Sequence, residues 1–394
     1  MKFNYICTQC SKQYDIKPDL MVCPVCSKAQ KGDEPVRGIL EVELDGSADG
    51  SFDVFDLLPV DKKYFPSIPV GGTPLWAPEN LRKKTGFKNL YIKDDGVNPT
   101  FSFKDRASFL VSAFAKMHGI GEIALASTGN AGSSMAGVGA AAGQKITIFL
   151  PETAPEAKLV QAMQYGANVF RVKGNYDLAY DFSLEYSKIK GGMNRNTAYN
   201  PMTIEGKKTV SLELFKQLHQ APDYVFVSTG DGCILAGVFK GFADLVKLGV
   251  IKKMPVIYSV QAETSDALYR AEKTGKFENI STSTVADSIC VDVPRNGYHA
   301  LKLLKEHDGR VIRVSDDAIL NAQHELASAA GLFTEPAGAA AYAGFISETG
   351  KIEKDAVVAV LCTGNGLKDV SSASKLMKGK SKMIASVEEA IKEI

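Results

Sequence analysis

The stretch Asn98-Pro99-Thr100-Phe101-Ser102-Phe103-Lys104-Asp105-Arg106 decides the fold of this chain. A loop rich in Pro, Thr and Ser gives way, at Lys104, to a helix-like run from Ala107 to Met117. The short apolar run Leu90-Tyr91-Ile92 precedes it. Lys104 is therefore predicted at a strand-to-helix junction, where open α/β sheets keep their ligands. Partial burial lowers the pKa of a lysine and frees its amine for Schiff-base chemistry. A single lysine at a helix start also reads as a solvated charge, so the surrounding chain has to decide.

Working outward, apolar runs alternate with helical patterns. Ile123–Ala126 is followed by a helix around 131–143, Ile146–Leu150 by one around 155–166, and Val169–Val172 by one around 176–190. The alternation resumes with a helix over about 205–219, the run Tyr224–Val227, a helix over 234–246, and later runs at Val256–Val260 and Val357–Leu361. Val/Ile-rich strands without polar alternation, separated by helices, predict an α/β fold of open parallel sheets buried on both faces. Residues 31–70 read as an extension lying on the body, and the last dozen residues read as a C-terminal helix around Val387, Ala390 and Ile391.

Composition narrows the function classes. The 394 residues carry 46 Lys+Arg against 45 Asp+Glu, a net charge of +1. That balance leaves no electrostatic footprint for nucleic acid or an anionic membrane. No apolar run approaches the roughly 18 residues of a membrane-spanning helix, and no secretory leader is read at Met1. A cytosolic enzyme is expected.

Three Gly-rich loops follow predicted strands. Ser127-Thr128-Gly129-Asn130 puts hydroxyls and backbone N–H groups at a helix N-terminus, an anion site suited to an amino-acid carboxylate. Ser228-Thr229-Gly230-Asp231-Gly232-Cys233 can close its backbone around a phosphate, with Asp231 read as a helix cap. Leu361-Cys362-Thr363-Gly364-Asn365-Gly366 places Thr363 at a strand's carboxyl end. Each loop alone reads as a plain turn. All of them, in this order beside Lys104, point to a ligand site.

With Lys368-Asp369 after the last loop and Glu335-Pro336-Ala337-Gly338 before it, the chain resembles the threonine synthases. These belong to the fold-type II pyridoxal-phosphate (PLP) enzymes, the tryptophan synthase β family. The resemblance runs from the Pro74 region to about Lys368. It implies two three-layer αβα domains: residues 36–104 with 194–394 as the large PLP-binding domain, and 105–193 as a smaller mobile one. It implies a carbon–oxygen lyase that binds PLP, acts on a small O-phosphorylated amino acid, and forms a homodimer. Lys104 would bind the cofactor covalently and move protons. Asn130 would meet its 3-hydroxyl, Thr229, Gly230, Asp231, Gly232 and Cys233 its phosphate, and Thr363 its ring nitrogen. Ser127, Thr128 and Gly129 would hold the substrate carboxylate.

One stretch departs from that family. Its members commonly read Asn-Pro-Tyr-Arg-Leu-Glu-Gly-Gln-Lys-Thr, and the arginine grips the substrate phosphate. This chain reads Asn200-Pro201-Met202-Thr203-Ile204-Glu205-Gly206-Lys207-Lys208-Thr209. Arginine is hard to replace at a bidentate phosphate site. Two substrate readings therefore stand: O-phosphohomoserine, as in threonine synthase, or the substrate of a related enzyme. The latter includes cysteate synthase acting on O-phosphoserine and a serine/threonine ammonia-lyase. Lys207 reads as a solvated helix-face lysine, with a compensating charge as the alternative. A non-catalytic protein on this fold is disfavoured by the intact Lys104 and Gly loops.

Cys7-x2-Cys10 and Cys23-x2-Cys26, separated by 12 residues, have the knuckle spacing of a tetrahedral zinc site. Residues 1–35 are expected to form a four-cysteine, zinc-ribbon-like extension. Ser11 and Ser27 stand where glycine would ease the turn. Cys362 reads as a buried small hydrophobe and His299 as a core histidine, with a general base as the alternative.

Overall fold

The computed structural model describes residues 1–394 apart from 33, 155–158, 378–380, 382 and 394. The first three strands form an antiparallel sheet of their own. β1 (Lys2–Cys7) pairs with β2 (Gln13–Tyr14) on one side and with β3 (Leu40–Asp45) on the other. Leu40, Val42 and Leu44 alternate inward on β3, the period of a strand with one buried face. The ribbon's sheet thus draws a strand from beyond residue 35.

β4 (Leu75–Trp76) and β5 (Leu90–Asp94) open a larger sheet, which β10 (Tyr224–Ser228), β11 (Val256–Ala262), β12 (Arg310–Val314) and β13 (Val358–Cys362) complete. Between them, β6 (Glu122–Ala126), β7 (Lys145–Pro151), β8 (Asn168–Val172) and β9 (Met193–Asn194) form a smaller sheet. The orders are β12-β11-β10-β13-β5-β4 and β8-β7-β6-β9. Every pair is parallel except edge strand β4, which runs antiparallel to β5.

Both sheets are covered on both faces. In the larger one, Val225, Val227, Ile257 and Leu361 join one apolar core with helix Cys233–Lys247. Their alternating neighbours Phe226, Tyr258, Val260 and Val360 join another with helix Pro336–Glu348. In the smaller one, Ile123, Leu125, Ile146 and Ile148 face helices Lys104–Met117 and Asn130–Ala142. Ala124, Phe149 and Val172 face helix Tyr176–Lys190. The period of two along each strand therefore builds two three-layer αβα units.

Local chemistry sets the helix ends. The Asn175 side chain accepts from Leu178 N to start helix Tyr176–Lys190, and Gly191, at φ 66°, ends it. The single helix expected over 205–219 is instead two, Met202–Lys207 and Thr209–Leu218. The first crosses helix Cys233–Lys247 so closely that a Cβ on Gly237 would lie 2.5 Å from the Lys207 Cβ. Only glycine permits that approach, and it carries Lys207 inward. The helix expected over 155–166 is observed as Val160–Gln164, with 155–158 outside the described residues. The C-terminal helix spans Val387–Glu393. No described helix is long and apolar enough to cross a membrane.

Candidate active site

Four strand ends converge on one cavity of about 470 Å³. β5 leads through the 3-10 turn Asp95–Val97 into the loop before Lys104. That loop is clamped from both sides. Phe103 N donates to the Thr363 carbonyl at 2.8 Å, and Ser102 bridges Gly364. The buried Asp105 carboxylate accepts from Thr100 N at 2.8 Å and from the Thr100 hydroxyl. Arg106 donates to Asp95 at 2.5 and 2.9 Å and to Glu213 at 2.6 and 2.8 Å, while Lys93 donates to Glu213 at 2.7 Å. The network pins the first turn of the helix and so the direction of Lys104. Burial pushes the Lys104 ammonium below its ordinary pKa, although Glu335 and Asp231 oppose the shift.

The second loop is open to an anion. The backbone N–H groups of residues 230–235 find no acceptor among the described residues, and no side chain caps helix Cys233–Lys247. Unsatisfied donors at a helix N-terminus form an anion nest. Gly230 is required there, because a Cβ would lie 2.8 Å from the Ile289 Cα. Gly232 takes φ 82°. The expectation that Asp231 caps the helix is overturned. Its carboxylate accepts instead from Arg295 N at 3.2 Å, which turns it away from the nest's own helix.

In the third loop, Ser127 Oγ accepts from Gly132 N at 2.9 Å and Gly129 N at 3.3 Å. It holds the turn, leaving the N–H groups of Thr128, Asn130 and Ala131 without protein acceptors among the described residues. Asn130 Nδ2 donates to both Glu335 oxygens, at 3.2 and 3.0 Å. Lys104, Ser127 to Asn130 and Thr229 to Cys233 all line the cavity. Thr363 does not; it stands behind the loop, at the end of β13.

Of the other lining residues, Tyr176, Asp177 and Arg195 carry no signal in the sequence. Tyr176 and Asp177 enter from the start of helix Tyr176–Lys190, and the segment 287–293 with Arg295 forms the facing wall. Arg295 pairs with Asp177 across the opening. Arg195, just after β9, is only 1% exposed and lines the cavity. Lys207 does so too, also at 1% exposure, and is not the solvated helix-face lysine expected. Its ammonium donates to the Thr203 carbonyl at 3.1 Å and reaches Thr197 Oγ1 at 3.5 Å, while burial pushes its pKa down to about 7. Thr203 itself turns away: its hydroxyl donates to the Asn200 carbonyl at 2.7 Å. His299 is buried at 3.0 Å from Glu41, away from the cavity.

At the N-terminus the sulfur atoms of Cys7, Cys10, Cys23 and Cys26 lie within 4.8 Å of one another, two pairs at 3.8 Å. Four thiolates about 2.3 Å from one ion stand about 3.8 Å apart in a tetrahedron, so the set can hold zinc. Ser11 takes the left-handed conformation, φ 58°, that the knuckle turn demands.

A depressed lysine, an anion nest and a carboxylate-sized loop in one cavity are the fittings for a phosphorylated pyridine aldehyde. Residues 67–364 match the family described as pyridoxal-phosphate dependent enzyme. The chain belongs to that family. Among its relatives, the threonine synthase of Methanocaldococcus jannaschii is 34% identical, covering 93% of both chains. That of Methanosarcina acetivorans is 32% identical over 93% of this chain and 92% of its own. That of Halalkalibacterium halodurans is 37% identical over 77% and 84%. Among solved structures, a threonine deaminase isoform of Solanum lycopersicum superposes with a TM-score of 0.69 at 22% identity, covering 85% of this chain and 96% of its own. A PLP-dependent aspartate racemase gives 0.68 at 20%, covering 83% and 99%. This PLP-dependent enzyme thus has the fold-type II architecture, and its cofactor is PLP.

Proposed function

We propose that this PLP-dependent elimination and replacement enzyme is a threonine synthase, converting O-phosphohomoserine and water to threonine and phosphate. The end-to-end similarity to the Methanocaldococcus jannaschii threonine synthase, 93% of both chains, carries this reading. The family match over residues 67–364 spans every residue that lines the cavity.

The cofactor, when bound, supplies an electron sink for carbanions at the substrate. The chain supplies the rest. Lys104 is the covalent attachment point, and its amine, deprotonated more readily by burial, takes and returns protons at the substrate carbons. The nest at residues 230–235 holds the cofactor phosphate, with Thr229 to Cys233 as its frame. Asn130 would hold the 3-hydroxyl, and Thr363, which stands behind the loop at the end of β13, would have to turn its hydroxyl into the cavity to meet the ring nitrogen. A hydroxyl cannot force ring protonation as a carboxylate would, which favours elimination and replacement over transamination. The free N–H groups of residues 128, 130 and 131 hold the substrate carboxylate, with Ser127 shaping the loop. Phosphate leaves from Cγ and water adds at Cβ, so water must be kept out until the second half. The stretch 105–193 closes over the cavity to do this, the Arg295–Asp177 pair bridging the opening. Two copies of the chain form the assembly.

Thr203 favours one second reading, a related enzyme with another leaving group, such as cysteate synthase or a serine/threonine ammonia-lyase. The test is a side-by-side assay of the PLP-loaded protein with O-phosphohomoserine, O-phosphoserine, serine and threonine. Threonine and phosphate released in equal amounts from O-phosphohomoserine support the first reading. Turnover confined to the other three would replace it.

A further inference from the structure

Arg195 and Lys207 are anomalous within this protein. Four other lysines and arginines are buried to a similar depth, and each meets a carboxylate. Lys93 pairs with Glu213, Arg106 with Asp95 and Glu213, Lys208 with Glu205 and Asp244, and Lys240 with Asp244. That is the ordinary condition for a cation withdrawn from water. Arg195 and Lys207 have no carboxylate within 4.0 Å among the described residues. Arg195 Nε reaches only the Ser108 hydroxyl, at 3.4 Å, and its Nη2 is buried with no partner at all. The Lys207 ammonium has a carbonyl and a hydroxyl, neither charged. Both side chains line the cavity of Lys104, and Thr197, which Lys207 touches, lines it with them.

Two desolvated cations on one wall of a ligand cavity are costly unless an anion arrives there. The cofactor phosphate already has the free N–H groups of residues 230–235. The substrate carboxylate has those of residues 128, 130 and 131. A third anion is therefore called for. We propose that Arg195 and Lys207 form a subsite for the distal tetrahedral oxyanion of the substrate, a phosphate monoester. This assignment rests on the reading of the cavity as a PLP site. Arg195 supplies a planar fork for two oxygens, and Lys207 a point charge on a third. The pair comes from different positions than Thr203, so the charge missing at position 203 is provided from the end of β9 and from the next turn of the helix. The same two cations would hold inorganic phosphate after the leaving step.

The experiment measures inorganic phosphate binding to the PLP-loaded enzyme by calorimetry, for the wild type and for R195M, K207Q and K207R. PLP fills its own nest in every sample, so added phosphate reports the second site. Loss of one charge-assisted contact is expected to weaken binding about 10- to 100-fold in R195M and K207Q. K207R, which keeps the charge, is expected to stay within about threefold, which separates loss of charge from loss of fold. Apo-protein titrated with PLP should give the same cofactor affinity in all four. Unchanged phosphate affinity in R195M and K207Q overturns the subsite. So does a fall in PLP affinity with phosphate binding intact, which would place the pair on the cofactor's own phosphate. Threonine formation on the same samples keeps the two readings apart. A threonine-forming wild type whose variants bind phosphate normally loses the subsite alone. A wild type that binds phosphate through the pair but forms no threonine loses the named reaction alone.

Discussion

Asn130, on the cavity wall, and Glu335, 205 residues away in the chain, hold each other, the amide nitrogen 3.0 Å from the nearer carboxylate oxygen. Asn130 begins a helix of the smaller unit, and Glu335 stands at the N-cap of one in the larger. The contact is thus a tie between the two αβα units. Burial raises the Glu335 pKa, with the Asn130 amide opposing the shift. An acid with a raised folded pKa penalises the fold above its unfolded pKa, and the penalty is complete once pH exceeds the folded value. Asn130→Ala removes the donor that offsets this. The variant is expected to lose about 1–3 kcal/mol near pH 8 and less near pH 5. Urea unfolding at both pH values measures it; a gap that does not widen with pH refutes the account.

Lys104→Ala should leave the fold intact and abolish covalent capture of the cofactor. Borohydride treatment of the wild type is expected to fix a pyridoxyl group on the peptide containing residue 104, seen by mass spectrometry, and to fix none in the variant. Turnover should fall by at least about 10²–10⁴, the range for a lost acid/base group.

Gly230→Ala tests the nest without touching a charge. The new Cβ would press on the Ile289 backbone, 2.8 Å from its Cα and 2.9 Å from its carbonyl oxygen. Opening that gap costs about 1–3 kcal/mol, or roughly 5- to 150-fold in PLP affinity. Fluorescence titration of apo-protein with PLP reads the change, while phosphate binding to the fully loaded variant should be preserved.

Sulfate, which keeps its charge from pH 6 to 9, exposes the titration of Lys207. Burial lowers the pKa of this lysine to about 7 in the free protein, so the cost of holding it charged is fully present below 7 and relieved as pH rises toward its unfolded value. An anion beside it favours the charged form. Sulfate affinity of the PLP-loaded enzyme should therefore be greatest below pH 7 and fall as pH climbs through 7 to 9. K207R, charged throughout, should flatten that profile. A slope that persists in K207R would assign it to another group.

The ribbon should contain one zinc ion per chain, measured by atomic emission. Cys7→Ser and Cys23→Ser are each expected to lower the zinc content to well below half. Cys7 and Cys23 lie in the same apolar core as Leu110, Val111 and Phe114 of the smaller unit. Chelation is therefore expected to lower the thermal midpoint of the whole enzyme by a few degrees, in keeping with the loss of about 1 kcal/mol or more. Full zinc content in Cys23→Ser would remove that cysteine from the ligand set.

Local pattern by itself determined much of this protein. Apolar runs at Ile146–Leu150 and Val256–Val260 became central strands because burial on both faces favours β-branched and aromatic residues without polar alternation, a feature visible within five residues. The Gly loops were legible because each follows such a run and opens a helix. β12, reading Arg-Val-Ile-Arg-Val at the sheet edge, was not, since one exposed side breaks the apolar run. Two-residue β9 is too short to carry a period. The charge pattern of the cavity belongs to tertiary structure alone. Lys207 looks like any helix-face lysine until Gly237 lets two backbones close on each other and turns that face inward. Arg195 looks like any loop arginine until β9 pairs with β6 and buries it. Sequence states which charges exist. Only packing states which have been denied both water and a counter-ion, and desolvation without compensation is what makes a cation wait for a ligand.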